Sequence, residues 1–371
     1  MYEFIKSPTS VNGKKITNRF VAQAMEINSA SQGGAVSDEI LNRYKQLAEG
    51  KWGLAFSEAI SVTDEYMARK NGLIINRENL KGLKKLVNDF KKINPEGLFL
   101  FQLTHSGRCS GDFSKKIKAY DDENQDVPIA SLGEMENTKD QFMEAVEFAH
   151  EAGVDGVDIK ACHGYLGGEI LRPRNQRPDK FGGNLKNRTR LLSSIIEYAA
   201  KEFPHMIIGT RLSLYEGMRG GCGTSGADEI IEDLDDMMDI ITIAIDSGAH
   251  YINVSAGIPM VTPDITRPEK ASRANMLHHF RYAKVVKELF NNVVVIGSSY
   301  SSACEESLDF AEENIRKGYV DLVGYGRQNL ADPFFPRKVL EENVEYDVCK
   351  ICGGCSRLLK KQEKVHCVVY E

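Results

Sequence analysis

The sequence has neither a long apolar run nor an excess of basic residues. No stretch approaches the roughly 18 apolar residues that a membrane-spanning helix needs, and the first residues, Met1 to Lys6, lack the apolar centre of a signal peptide. The formal net charge is −6 with both signs interspersed, which indicates a solvated surface and not a nucleic-acid interface. We therefore expect a cytoplasmic protein that acts on a small-molecule substrate and binds no membrane and no nucleic acid.

The chain also lacks the glycine-rich turn of an open dinucleotide-binding sheet. That fold carries Gly-x-Gly-x-x-Gly directly after its first strand, whereas Ala22 to Glu26 contain no glycine. Apolar runs of strand length instead alternate with amphipathic helices along most of the chain. The predicted strands are 20–25, 53–62, 98–103, 154–159, 206–212, 251–254, 293–296 and 322–324. Eight such strands favour an α/β fold with a closed (β/α)8 TIM barrel over an open doubly wound sheet.

Both ends of the chain depart from this alternation. Two β-prone pieces flank Asn12-Gly13, a pair typical of a hairpin turn, so we expect an N-terminal hairpin within residues 1–19. No linker rich in proline or glycine interrupts the chain before about residue 340. We therefore predict one barrel domain over residues 1–340, followed by a cysteine-rich tail over residues 341–371.

The distribution of the eight cysteines argues against a disulfide framework of the kind found in secreted proteins. Four are scattered singly along the barrel: Cys109, Cys162, Cys222 and Cys304. The other four crowd the tail: Cys349, Cys352, Cys355 and Cys367. Four thiolates in so short a segment suit tetrahedral zinc or an iron–sulfur cube. Three cysteines at successive three-residue steps favour the cube, zinc is the serious alternative, and a tail of free thiols is the third.

Polar side chains at the carboxyl ends of the predicted strands are candidates for the site, because barrels carry their chemistry on that face. Gln102 can donate and accept hydrogen bonds along the edge of a heterocyclic ring. Arg211 needs an anion if it is buried, and the alternative is a structural ion pair with Glu58 or Asp158. The last two strands end in small turns that suit a phosphate: Gly297-Ser298-Ser299 and Gly326-Arg327. Together these residues predict a phosphorylated, planar cofactor.

The strand predicted over 154–159 ends in ionisable side chains in place of packing residues. Lys160, His163 and Tyr165 follow it within six residues. The long stretch 258–274, with three prolines and mixed charge, is typical of a lid over such a site.

Five segments resemble the old yellow enzyme family of FMN-dependent NAD(P)H:flavin oxidoreductases, and they occur in the order that the family shows. These segments are Thr17–Val21, Phe101–Arg108, Ala152–Leu166, Arg172–Arg188 and Gly324–Pro333. The resemblance implies an FMN-binding barrel in which Gln102 and Arg211 contact the flavin ring. It also implies that Gly297, Ser298, Gly326 and Arg327 hold the phosphate, with Ser299 in the same turn, and that Ala24, Met25 and Ala59 line the ring near its reactive edge.

Two positions depart from the family pattern. The residue after Met25 usually is small and polar or carries sulfur, and here it is Glu26, so we expect it to be protonated, paired with Lys160 or turned away. The family's substrate-anchoring pair becomes Lys160 and His163, with Tyr165 in the place of the proton donor. Lysine there suggests an anionic substrate, and the alternative is a salt bridge from Lys160 to Glu26 or Glu58.

The tail resembles that of the larger members of the family, dienoyl-CoA reductase and trimethylamine dehydrogenase, and this implies a 4Fe–4S cluster on Cys349, Cys352, Cys355 and Cys367. The function implied by the whole resemblance is that of an ene-reductase, which passes hydride from NAD(P)H through flavin N5 to an activated C=C. Two alternatives are a flavin dehydrogenase that oxidises an amine-like substrate and sends electrons to the cluster, and a flavoprotein electron carrier. We further expect a homo-oligomer and an electron-transfer partner.

Overall fold

The computed structural model describes residues 2–123, 126–268, 273–342 and 345–370. Eight parallel strands close into a barrel in which the last strand pairs with the first. In chain order the barrel strands are β3 (Phe20–Ala22), β4 (Leu54–Ser61), β5 (Leu98–Thr104), β6 (Gly156–Ala161), β7 (Ile207–Ser213), β8 (Tyr251–Ser255), β9 (Val294–Gly297) and β10 (Leu322–Tyr325). The predicted (β/α)8 TIM barrel is therefore confirmed, and each strand overlaps its predicted range.

Helices surround the barrel and pack their apolar stripes against the outer faces of the strands. They are α1 (Glu3–Lys6), α2 (Asp38–Glu49), α3 (Leu80–Ile93), α4 (Leu132–Ala152), α5 (Leu166–Glu169), α6 (Leu185–Glu202), α7 (Asp235–Asp246), α8 (Pro263–Thr266), α9 (Arg273–Leu289), α10 (Ser307–Arg316), α11 (Arg327–Ala331), α12 (Phe335–Glu341) and α13 (Gly354–Lys360). None of the helices in the described part of the chain is long and apolar enough to cross a membrane.

The predicted N-terminal hairpin consists of β1 (Thr9–Val11) and β2 (Lys14–Ile16) and closes the amino end of the barrel. Asn12 and Gly13 both have positive φ, 46° and 71°, as a tight two-residue hairpin turn requires. The inward side chain of Ile16 is fully buried and joins the apolar cluster inside the barrel. This plug leaves the opposite, carboxyl end as the face where a ligand can enter.

The interior of the barrel changes from apolar to polar toward its carboxyl end. Phe56 and Tyr251 fill the lower part, with ring centroids 5.9 Å apart. Above them, Gln23 and Asn253 exchange two side-chain hydrogen bonds of 2.8 and 2.9 Å across the barrel. Buried amides paired in this way are satisfied and rigid, so they give the site a defined floor.

One strand boundary differs from its prediction in a way that affects the site. The apolar run predicted a strand over 154–159, but β6 covers Gly156–Ala161 and so includes Lys160. Lys160 is only 6% exposed and is paired with Arg211 of β7 in the register of the sheet. The apolar pattern ends before Lys160, so it could not predict that the strand continues. Hydrogen bonding to the neighbouring strand β7 sets the end of β6.

Buried ion pairs hold the loop after β6. Arg172 donates from Nε and Nη2 to the two carboxylate oxygens of Glu216 at 2.7 and 3.2 Å, and both side chains are buried. The guanidinium of Arg177 binds Asp179 and donates to the carbonyls of Ala119 and Ala130. These contacts fix the segment that leads away from the candidate site.

We expect Arg172→Met to lower the free energy of unfolding by about 3–5 kcal/mol, because it leaves the buried Glu216 carboxylate without its cation. The measurement is the urea unfolding midpoint. A matched control is Arg273→Met, since the pair of Arg273 with Glu306 is half exposed, 54% and 53%, and should lose less than about 1 kcal/mol. Equal losses for the two variants would show that the buried pair does not support the loop.

Candidate active site

A single cavity opens at the carboxyl ends of the barrel strands and contains all the predicted cofactor and catalytic residues except Gly297. The cavity residues foreseen from sequence are Ala24, Met25, Glu26, Ala59, Gln102, Lys160, His163, Tyr165, Arg211, Ser298, Ser299, Gly326 and Arg327. Gly297 ends β9 below the cavity, where a Cβ would lie 2.9 Å from Val320 Cγ1, so close packing explains this glycine.

The inner wall offers unsatisfied polar groups to a planar ring. Gln102 Nε2 donates to Asp158 Oδ1 at 3.1 Å, which leaves the amide oxygen of Gln102 for another partner. Arg211 makes no ion pair within the described residues, and its buried Nε has no hydrogen-bond partner. The predicted alternative of a structural ion pair with Glu58 or Asp158 is therefore not found. An orphaned guanidinium N–H beside a free amide oxygen fits the heteroatom edge of a flavin.

The far end of the cavity suits a phosphate. Ser299 has a φ of 74° and begins a turn next to β9, and Gly326 lies so close to Met25 that a Cβ would be 3.2 Å from the Met25 sulfur. Arg327 donates from Nη2 to Ser302 Oγ at 2.7 Å, which directs its charge along this wall. A turn of small residues next to one arginine fits the phosphate of FMN.

Glu26 is paired, but its partner is Arg69 and not Lys160 as one of the expectations had it. Arg69 donates from Nε to Glu26 Oε2 at 2.9 Å, and its Nη2 lies 2.8 Å from the same oxygen. Burial alone would raise the pKa of Glu26, but the charges of Arg69 and Lys160 outweigh it and hold the pKa below its ordinary value. Glu26 is therefore an ionised carboxylate whose charge Arg69 balances.

Lys160 and Tyr165 lie against each other. Lys160 Nζ is 3.3 Å from the centroid of the Tyr165 ring, and the Tyr165 hydroxyl donates to Glu26 Oε1 at 3.4 Å. Burial lowers the pKa of Lys160, and the Glu26 carboxylate opposes that shift. Lys160 forms no salt bridge with Glu26 or Glu58 in the part of the chain described. Burial raises the pKa of Glu58 to about 8, which makes it a neutral hydrogen-bonding group and a poor partner for an ammonium.

His163 is held by a directed chain of hydrogen bonds. Its φ is 61°, its N–H donates to Ser213 Oγ at 3.1 Å, and its Nε2 lies 2.8 Å from Ser255 Oγ. Burial lowers the pKa of His163 well below its ordinary value, so the imidazole is neutral. Because Arg211 Nη2 donates to Ser255 Oγ at 3.5 Å, the hydroxyl proton of Ser255 is free to point at Nε2. In that tautomer Nδ1 carries the proton and can donate to a ligand.

Several cavity residues were not foreseen as site residues, among them Arg69, Ser255 and Arg267. Arg69 and Arg267 lie on long loops without periodic patterns, and only the folded chain brings them to the strand ends. Ser255 is the last residue of β8, so its position at a strand end is the one signal that could have singled it out. Arg267 and Met260 belong to the segment predicted as a lid, of which residues 269–272 lie outside the described residues.

The tail forms part of the cavity wall. Cys355, Ser356, Leu359 and Val365 line it, and the N–H of Val365 donates to the carbonyl of Ile27 at 2.9 Å. The end of the tail packs against its own helix α13. Val368 lies so close to Gly354 that a Cβ on this glycine would be 2.2 Å from Val368 Cγ2. Even so, no three His, Cys, Asp or Glu side chains in the described ranges are grouped as metal ligands. The arrangement of the tail cysteines thus does not support the predicted cluster.

Comparison with known proteins identifies the family of this chain. The model of the NADH:flavin oxidoreductase / NADH oxidase family matches residues 5–345. An NADH oxidase from Thermoanaerobacter brockii is 28% identical over 360 residues, covering 92% of this chain and 51% of its own length. An NADPH dehydrogenase from Bacillus pumilus is 27% identical over 343 residues, covering 91% of this chain and 94% of its own.

Solved structures show the same fold. A 2-naphthoyl-CoA reductase in complex with 2-naphthoyl-CoA superposes with a TM-score of 0.87 at 20% identity, covering 100% of this chain and 57% of that chain. This chain thus spans about half the length of the NADH oxidase and of the reductase, and nearly all of the length of the NADPH dehydrogenase. The expectation of an FMN-dependent oxidoreductase is confirmed at the level of the family: the chain belongs to the NADH:flavin oxidoreductase / NADH oxidase family.

Proposed function

We propose that this protein is an FMN-dependent NAD(P)H oxidoreductase of the ene-reductase type. The proposal rests on one observation: Tyr165 and the neutral His163 line the same cavity as Gln102 and Arg211, the groups suited to bind the flavin ring. When bound, FMN accepts hydride from NAD(P)H and delivers it to an activated C=C. The protein has to orient the substrate, polarise its double bond and supply a proton.

His163 and Tyr165 are suited to these two tasks. A donor at His163 Nδ1 would bind the carbonyl oxygen of an enone and favour hydride attack at its β-carbon, since charge develops on that oxygen. Tyr165 would then give its hydroxyl proton to the α-carbon. Gln102, Arg211, Ala24, Met25 and Ala59 would surround the ring, and Ser298, Ser299, Gly326 and Arg327 would hold the phosphate, with Gly297 setting the turn below.

The charge of the cavity supports an anionic substrate. Among the described residues, its wall carries five cations, Arg69, Lys160, Arg211, Arg267 and Arg327, and a single carboxylate, Glu26. Glu26 balances Arg69, and the flavin ring and phosphate would occupy Arg211 and Arg327. Lys160 and Arg267 then remain without a matching anion in the cavity as described, so we propose that a substrate carboxylate or phosphate binds there.

We also propose residues 341–371 as a separate metal-binding tail, in which Cys349, Cys352, Cys355 and Cys367 hold a 4Fe–4S cluster. Their spacing and soft thiolates support the proposal. So does the backbone N–H of Gly354, which donates to Cys352 Sγ at 3.5 Å. Closing four sulfurs around iron would require the tail to rearrange. An outside electron partner and a homo-oligomer are part of the same proposal.

Tyr165→Phe should leave reduction of the flavin by NAD(P)H unchanged and slow its reoxidation by an enone by about 100-fold to 10,000-fold, the usual contribution of a positioned acid. Both half-reactions can be followed anaerobically by flavin absorbance. Tyr198→Phe, on the outer helix α6, is the matched control and should behave as wild type. Unaltered reoxidation in Tyr165→Phe would remove Tyr165 from the mechanism, and reduction of the flavin by an amine would favour the dehydrogenase.

Arg267→Met should raise KM for 4-oxopent-2-enoate by about 10-fold to 100-fold, the usual loss for a hydrogen bond to a charged group. The methyl ester of the same acid lacks the charge and should be unaffected. Arg273→Met removes an arginine outside the cavity and serves as the control. Equal changes for acid and ester would argue against a substrate anion at Arg267.

Protein purified without oxygen should contain about four iron atoms and four sulfides per chain, the content of one cube. Cys352→Ser should lose most of this iron, whereas Cys222→Ala, a buried cysteine far from the tail in sequence, should keep it. Zinc at about one atom per chain would favour the tetrahedral site. Protein without either metal would indicate a tail of free thiols.

A further inference from the structure

Four charged or ionisable side chains at the cavity rim form a continuous unit. They come from three parts of the chain: Glu26 after β3, Arg69 after β4, and Lys160 and Tyr165 at the end of β6. Arg69 holds Glu26 Oε2 at 2.8 Å, the other carboxylate oxygen accepts from the Tyr165 hydroxyl at 3.4 Å, and Lys160 Nζ lies 3.3 Å from the centre of the Tyr165 ring. Lys160 and Tyr165 are each only 6% exposed.

The surroundings of Tyr165 oppose the loss of its proton. Burial and the neighbouring Glu26 carboxylate both raise its pKa, and Arg69 opposes them. Because Glu26 already balances the charge of Arg69, that guanidinium alone cannot neutralise a phenolate. Among the described residues, the cation in direct contact with the ring is the ammonium of Lys160.

We propose that Lys160 acts through Tyr165: the ammonium on the ring face stabilises the phenolate that forms when Tyr165 protonates the substrate, and the Arg69–Glu26 pair holds the hydroxyl in place. This inference rests on the proposed ene-reductase function. In that step the O–H bond of Tyr165 breaks, a C–H bond forms at the α-carbon of the substrate, and the electron pair for the β-carbon arrives as hydride. The phenolate then recovers a proton from water. In this step Lys160 is a positioning residue, and this role is distinct from the binding of a substrate anion.

The contact between the Lys160 ammonium and the Tyr165 ring becomes stronger as Tyr165 loses its proton. A cation over a neutral ring gains about 0.5–2 kcal/mol, but the attraction becomes that of a full ion pair as negative charge develops on the ring in a buried site. The interaction is therefore stronger in the transition state than in the ground state, which raises the rate of proton transfer and leaves substrate binding nearly unchanged.

A neutral probe, 2-cyclohexen-1-one, separates this role from the binding of a substrate anion. With reduced holoenzyme, Lys160→Met should slow reoxidation by about 10-fold to 100-fold, a part of the usual contribution of a positioned acid, with little change in the dissociation constant of the enone. Lys160→Arg keeps the charge and should recover most of the rate. Lys160→Gln replaces the methionine variant if that variant does not retain flavin.

The decisive comparison is made in the Tyr165→Phe background. There, Lys160→Met should have no further effect, because the group through which it acts is absent. An equal loss in both backgrounds would show that Lys160 acts on the substrate directly and would overturn the inference. Lys284→Met is the matched control, since Lys284 Nζ lies 4.5 Å from the Tyr319 ring outside the cavity. If the wild-type enzyme is not reoxidised by the enone, the proposed function itself fails; if only Lys160→Met is without effect, this inference alone fails.

Discussion

The site depends on closure of the barrel between its last and first strands. Gly324 and Tyr325 of β10 pair with Val21 and Ala22 of β3, so residues 303 positions apart in the sequence become neighbours. This register puts Gly326 against the sulfur of Met25 and anchors the tail beside the loop after β3. Because parallel strands end at the same face, the pairing that closes the sheet also brings the ring-binding and phosphate-binding segments to one cavity.

At the carboxyl ends of the strands, the surroundings of two glutamates decide which of them carries a charge. Glu26 is stabilised as a carboxylate by Arg69, whereas Glu58, equally close to the strand ends, is kept neutral by burial and accepts the N–H of Ile27 at 3.1 Å. The result is a wall that is positive in balance but has one fixed negative charge beside Tyr165. A buried carboxylate in this position is tolerable only because two cations face it.

The fold and most of the cavity could be predicted from the sequence. Apolar runs identified all eight strands. The rule that barrels carry chemistry at strand ends, together with the family motifs, selected residues of which all but Gly297 line the cavity. Contacts between side chains on different loops could not be predicted. Arg69 binds Glu26, and Ser255 binds His163, only in the folded chain, and no pattern in the sequence indicates these pairs. For the same reason the spacing of the tail cysteines suggested a metal site, but spacing alone does not bring four sulfurs together.

The shared wall between tail and cavity has a thermodynamic consequence. Leu359 and Val365 are at once part of the tail and part of the surface that a ligand touches. A molecule that touches them makes those contacts only when the tail is docked, so the free energy of those contacts adds to the stability of docking. By reciprocity, a substitution that loosens the tail weakens the binding of such a molecule by the same amount.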